Sequence, residues 1–189
     1  MKSVELVGKW YEIFLEDTAI VSSWMGIPID VEVTTVPVFK TERERGVYKI
    51  YVELSEIAKF VSGACHELRH ILFGSFKVLS YAYKQFKKWK WEAYWPTFKI
   101  VFNIFEDYRI DNIGLKIWRG LKVYEEKVLR EVIENFKKKF FYTSVERMIF
   151  LLLGIMIELW AQDLGYSCSL VRGFLGSSEG MYRESVELL

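Results

Sequence analysis

The two histidines of this 189-residue chain stand four residues apart, in His66-Glu67-Leu68-Arg69-His70. On a helix, residues i and i+4 lie one above the other, so both imidazoles can meet one metal ion. Glu67 then falls about a hundred degrees round the helix. From there it can reach a metal-held water without being a ligand itself. The spacing therefore predicts a metal-binding helix with a carboxylate poised to take a proton.

An open, reactive zinc site has three protein ligands and one free position. With no third histidine in the chain, the missing ligand must be a carboxylate or a thiolate. Asn103-Ile104-Phe105-Glu106-Asp107-Tyr108-Arg109-Ile110-Asp111 supplies acids within an apolar stretch that begins near Thr97. Carboxylates buried there need a metal, a cation or hydrogen-bond donors to stay ionised. Glu106 is the favoured third ligand, with Asp107 behind it holding a histidine N–H. The same two residues with roles exchanged form the nearest competing arrangement. Asn103 and Arg109 share the Glu106 face at i±3. Arg109 fits pairing with an acid better than stabilising an oxyanion, and Tyr108 fits packing better than oxyanion binding. Cys65 adjoins His66, but on a helix it points away from the metal-facing side, which suits a buried structural thiol.

The elements that must position these groups follow from periodicity. Residues 4–20 read as a helix, and the chain turns around Gly26 and Pro28. The β-branched run 31–36 reads as a strand, Thr41 to Gly46 as a charged turn, and the alternating 47–54 as a half-buried strand. Ser55 and Glu56 open the metal-binding helix, which should end near Gly74. Segments 78–90, 97–112, 120–141, 144–162 and 168–175 show helical apolar spacing, broken at Pro96, Gly114, Gly120 and Gly165. Two strands followed by helices make an α+β layout within one domain spanning 1–189.

Composition narrows the setting. At 22.4 kDa, with 51% hydrophobic residues, the chain can bury a core without staples. A net charge of +1 requires neither nucleic acid nor an anionic membrane as partner. Cys65 and Cys168 make no disulfide framework, and no leader is recognisable, so reduced thiols in a cytoplasmic setting are expected. The longest apolar run, Met148 to Ile157, covers about half of a bilayer core as helix. It reads as a buried helix or an oligomer contact. Scarce Gln and Asn beside abundant Lys and Glu suit a thermophilic source.

His66-Glu67-x-x-His70, with Glu106 some 35 residues further on, resembles the gluzincin class of zinc metallopeptidases. More narrowly, the segment from His66 to Phe73 and the string Asn103 to Asp111 resemble the peptidase-like domain found beside von Willebrand A modules in cobalt-chelatase-type proteins. The two blocks fall within residues 66–111, a span of about a quarter of the chain. The resemblance implies a zincin-like fold, one zinc per chain on His66, His70 and Glu106, and peptide hydrolysis with Glu67 as general base. It also implies an extended substrate paired to a strand near the cleft, for which Lys49, Tyr51 and Glu53 are the candidates on strand 47–54. Two features depart from the pattern. Thermolysin-like enzymes carry an aspartate four residues after the ligand glutamate, where this chain has Ile110. No von Willebrand A module is present in these residues.

Two other readings remain. One is a zinc-binding module without turnover that serves interaction or regulation. The other is a helical protein in which Lys84 to Trp95, interleaving lysines with aromatics, binds nucleic acid or a membrane surface. A solvated helix face with an aromatic underside is the simpler account of that segment.

Overall fold

The computed structural model describes residues 2–36, 38–54, 56–137 and 144–165. It is an α+β molecule with a three-stranded sheet and a mainly helical body. The elements run α1 (Lys2–Met25), β1 (Ile29–Thr34), β2 (Lys40–Glu44), β3 (Val47–Glu53), α2 (Ile57–Leu72), α3 (Ser75–Lys88), α4 (Trp95–Ile117), α5 (Lys122–Lys137) and α6 (Ser144–Leu164). Short 3-10 turns at Glu92–Tyr94 and Arg119–Leu121 precede α4 and α5.

The charged segment expected to be a turn is mostly strand. Glu44 pairs with Val47, so only Arg45 and Gly46 form the loop, both with positive φ (48° and 89°). Such a two-residue turn matches the twist of its flanking strands. Charged side chains suit β2 because it is an edge strand, where charge discourages pairing with other chains. β3 is the central strand, parallel to β1 on one side and antiparallel to β2 on the other.

Strand alternation on β3 is as the sequence reads. Tyr48, Ile50 and Val52 are buried against α1 and α2, together with Val7, Phe14, Phe60, Val61, Ala64, Leu68 and Ile71. Lys49, Tyr51 and Glu53 lie on the opposite, half-buried face. Their role as a docking edge is corrected by the topology. Both edges of β3 are already hydrogen-bonded, so an added strand cannot pair there. The edge nearest the metal-binding helix belongs to β2, whose Thr41 Oγ1 donates to the Glu67 carbonyl at 3.2 Å.

A second core joins α5 to α6 through Leu129, Phe136, Phe150, Ile157, Ala161 and Leu164. The apolar run in α6 is thus a packing face. Pro96 sits in the first turn of α4, where its missing N–H costs nothing. Gly114 does not break α4; the helix runs on to Ile117. The segment 168–175, Cys168, Lys138, Lys139, Ser55 and the tail from Gly173 lie outside the described residues.

Candidate metal centre

The i, i+4 spacing on α2 brings His66 Nε2 and His70 Nε2 to 3.1 Å of each other. α4 crosses α2 and presents Asp107, whose Oδ1 lies 3.3 Å from His70 Nε2 and 3.7 Å from His66 Nε2. Three ligands on a tetrahedral ion, with bonds of about 2.0–2.1 Å, sit about 3.3–3.4 Å apart. The observed triangle has that size. His66, His70 and Asp107 could therefore hold a metal ion.

The outer ring nitrogens are arranged to match. His66 Nδ1 lies 2.9 and 3.1 Å from the two Asp111 carboxylate oxygens, which can only accept, so Nδ1 carries the proton. His70 Nδ1 lies 3.1 Å from Ser75 Oγ. The single hydroxyl proton of Ser75 goes to Glu106 Oε1, so Ser75 accepts from His70 Nδ1–H. Both histidines are thereby fixed in the tautomer that leaves Nε2 free to coordinate.

Asp107 stands where the sequence favours Glu106, while Glu106 reaches His70 only through Ser75. Asp107, and not Glu106, is the carboxylate that joins the histidines. Glu106 lies a helical step away, buried behind His70, where Arg109 Nε and Nη2 donate to it at 2.7 and 2.6 Å. Burial opposes its charge, but the hydrogen bonds from Arg109 and Ser75 outweigh that and hold the carboxyl below its ordinary value. Arg109 also donates to the Phe73 carbonyl at 3.0 Å, so it serves pairing rather than an oxyanion. Tyr108 bonds to Asp163, and burial with that carboxylate raises its hydroxyl pKa. Asn103 is exposed at the rim of the cleft. Counted from Asp107, the residue four further along α4 is Asp111.

Behind His66 lies a buried ionic chain. Arg69 is wholly inaccessible, and its Nη1 donates to Asp111 at 2.7 Å and to Glu125 on α5 at 2.9 Å. Gly114 makes the passage for it: a Cβ there would stand 2.3 Å from Arg69 Nε. That close approach is the reason for a glycine inside α4, where it costs about 1 kcal/mol relative to alanine. Burial lowers the His66 pKa, yet the Asp111 carboxylate outweighs it and raises the imidazole to about 10.

Glu67 is buried and lines a 320 Å³ cavity with His66, His70, Asp107, Lys40 and Thr41. A larger cavity of 820 Å³ meets the centre from the other side, also touching His66 and Asp107. Its far wall is apolar, with Val132, Phe136, Phe150, Leu153 and Trp160 from α5 and α6. Cys65 takes no part: it lines a separate cavity against α1, and burial pushes its thiol up to about 12.

Ser75, Arg69, Glu125 and Asp111 belong to the surroundings of the histidines without a role legible in the motif itself. Asp111 was findable from its i, i+4 relation to Asp107. Ser75 and Glu125 carry no signal in the sequence, because only the packing of α3 and α5 brings them in. Compared with protein-family models, curated proteins and solved structures, the chain finds no match in any of the three.

Proposed function

We propose that this chain is a zinc-dependent peptidase, with His66, His70 and Asp107 as ligands and Glu67 as general base. The observation that carries the proposal is the convergence of three donor atoms, two of them imidazole nitrogens in a fixed tautomer, beside a glutamate in one cavity. Two nitrogens and a carboxylate oxygen with a position left open suit catalytic zinc better than the oxygen-seeking cations. Zinc there would polarise a scissile carbonyl and acidify the attacking water.

The protein groups divide the remaining work. Glu67 accepts the proton of the attacking water and delivers it to the leaving amine. Asp111 and the Ser75–Glu106 pair keep both imidazoles aimed. The β2 edge offers backbone hydrogen bonds to an extended chain, replacing β3 in that role. The 820 Å³ cavity supports a large apolar side chain next to the scissile bond.

The test begins with metal content. About one zinc per purified chain is expected, with hydrolysis of an unstructured peptide that Glu67→Gln abolishes while zinc is retained. A protein that refuses zinc overturns the site. Zinc retained with no hydrolysis by the unaltered chain overturns turnover and leaves a binding module.

A further inference from the structure

The segment from Ser75 to Ile100 takes no part in the metal chemistry beyond Ser75 and the cleft wall, and it differs from the rest of the molecule. It holds six lysines and one glutamate, a net charge of +5, leaving −4 on all other residues. In the structure α3 folds back on the start of α4, and only Ser75 of α3 is buried. The hairpin is held by its own rings: Phe86 packs on Phe98 at 4.7 Å, and Tyr83 on Trp95 at 4.8 Å. At its tip Trp89, Trp91 and Tyr94 are 52%, 52% and 67% exposed.

The turn itself carries a second signal. Trp91 N–H donates to Phe86 O and Lys90 N–H to Lys87 O, a helix-ending motif whose left-handed position is usually glycine. Here it is Lys90, at φ 58°. A strained backbone is accepted and a charge is kept at the tip, between two exposed indoles that lie 5.3 Å apart.

We infer that the α3–α4 tip docks on an anionic phospholipid surface, seating Trp89, Trp91 and Tyr94 at the headgroup level with Lys84, Lys87, Lys88 and Lys90 against lipid phosphates. Indole and phenol rings join an apolar body to a polar edge and favour that boundary. Lysine stems lie along it with their ammonium groups outward. Charge complementarity supplies the attraction, since each lysine near an anionic leaflet adds to binding. A single-stranded nucleic acid fits less well, because stacking needs ring faces open in series. Here Phe86, Trp95 and Phe98 are spent on one another, and Trp89 on Trp91. Among the described residues no helix is long and apolar enough to cross a membrane, so the docking is peripheral. Phe76, Leu79 and Lys99 of the same hairpin line the 320 Å³ cavity, which brings the cleft close to that surface.

The test is co-sedimentation of the full chain with phosphatidylcholine vesicles, with and without phosphatidylserine. Binding to the anionic vesicles, reduced by salt and accompanied by a blue shift of tryptophan emission, is expected. Lys87→Glu, Lys88→Glu and Lys90→Glu together should weaken it at least about a hundredfold. Trp89→Ser with Trp91→Ser should also weaken it while zinc content stays unchanged, because both indoles are exposed and remote from the ligands. No binding to anionic vesicles at low salt would overturn the inference. So would binding that both sets of variants leave intact, or capture of a single-stranded oligonucleotide without vesicle binding.

Discussion

The two halves of the metal centre are supported in different ways. His66 is backed by a full charge: Asp111 holds its Nδ1, Arg69 holds Asp111, and Glu125 holds Arg69, all in a nearly dry interior. His70 is backed by a neutral hydroxyl, and the charges of Glu106 and Arg109 stand one bond further away. A carboxylate on an imidazole N–H raises its basicity and its hold on a cation, whereas a hydroxyl mainly orients it. On a metal held there, the His66 side would govern affinity and the His70 side direction. The difference also follows burial, because Arg109 is partly exposed while Arg69 is not.

The sharpest way to break the comparison is at the carboxylate both histidines face. Asp107→Ala should abolish stoichiometric metal binding, measured by metal analysis after dialysis, while Glu106→Gln should leave about one metal per chain. The reverse outcome would restore Glu106 as ligand.

Next in size is the buried chain behind His66. Arg69→Met takes the guanidinium from Glu125 and leaves Asp111 with only the His66 N–H, and should cost about 3–5 kcal/mol in denaturant unfolding. Gly114→Ala drives a methyl into Arg69 and should cost about 1–3 kcal/mol by overpacking. The corresponding cut on the His70 side, Arg109→Met, should cost less, because that pair reaches solvent.

Affinity separates the two halves further. Asp111→Asn should weaken metal binding by about 10–100-fold, and Ser75→Ala by less, at the bottom of that range or below it. Competition with a chelator of known affinity reads both. Equal losses would show that the two supports are equivalent.

A further test concerns acidity. In the metal-free protein the His66 pKa is raised from 6.5 to about 10. A group whose folded pKa is raised stabilises the fold fully below its unfolded pKa and loses that contribution as pH rises through the folded value. Stability should therefore decline above about pH 6.5 and level off past about pH 10. Asp111→Asn should flatten the slope, and an unchanged profile in that variant would disconnect the titration from the His66–Asp111 pair.

Legibility in the sequence followed the range of the interactions. Helices from α1 to α6 and strand β3 were readable because their patterns are local. β2 was hidden because an edge strand carries the polar residues that also mark turns, and two residues suffice to reverse the chain at Arg45-Gly46. The acidic string on α4 is legible as a source of carboxylates for the histidine pair. Which of its members faces the histidines was not readable, since Glu106 and Asp107 differ by one helical step and either could be turned inward.

The sequence by itself determined that two imidazoles and a glutamate would share one helical turn, because i, i+4 geometry is fixed by the backbone. It also determined that acids would stand on a later apolar helix, and that lysines and aromatics would be concentrated between the two. Only the tertiary structure decided the rest. The crossing of α2 and α4 selects Asp107, and Arg109 and Ser75 draw Glu106 behind His70. Gly114 opens the way for Arg69 to join Asp111 to Glu125. These choices rest on contacts between residues far apart in the chain, where side-chain direction and packing, not spacing, settle which groups meet.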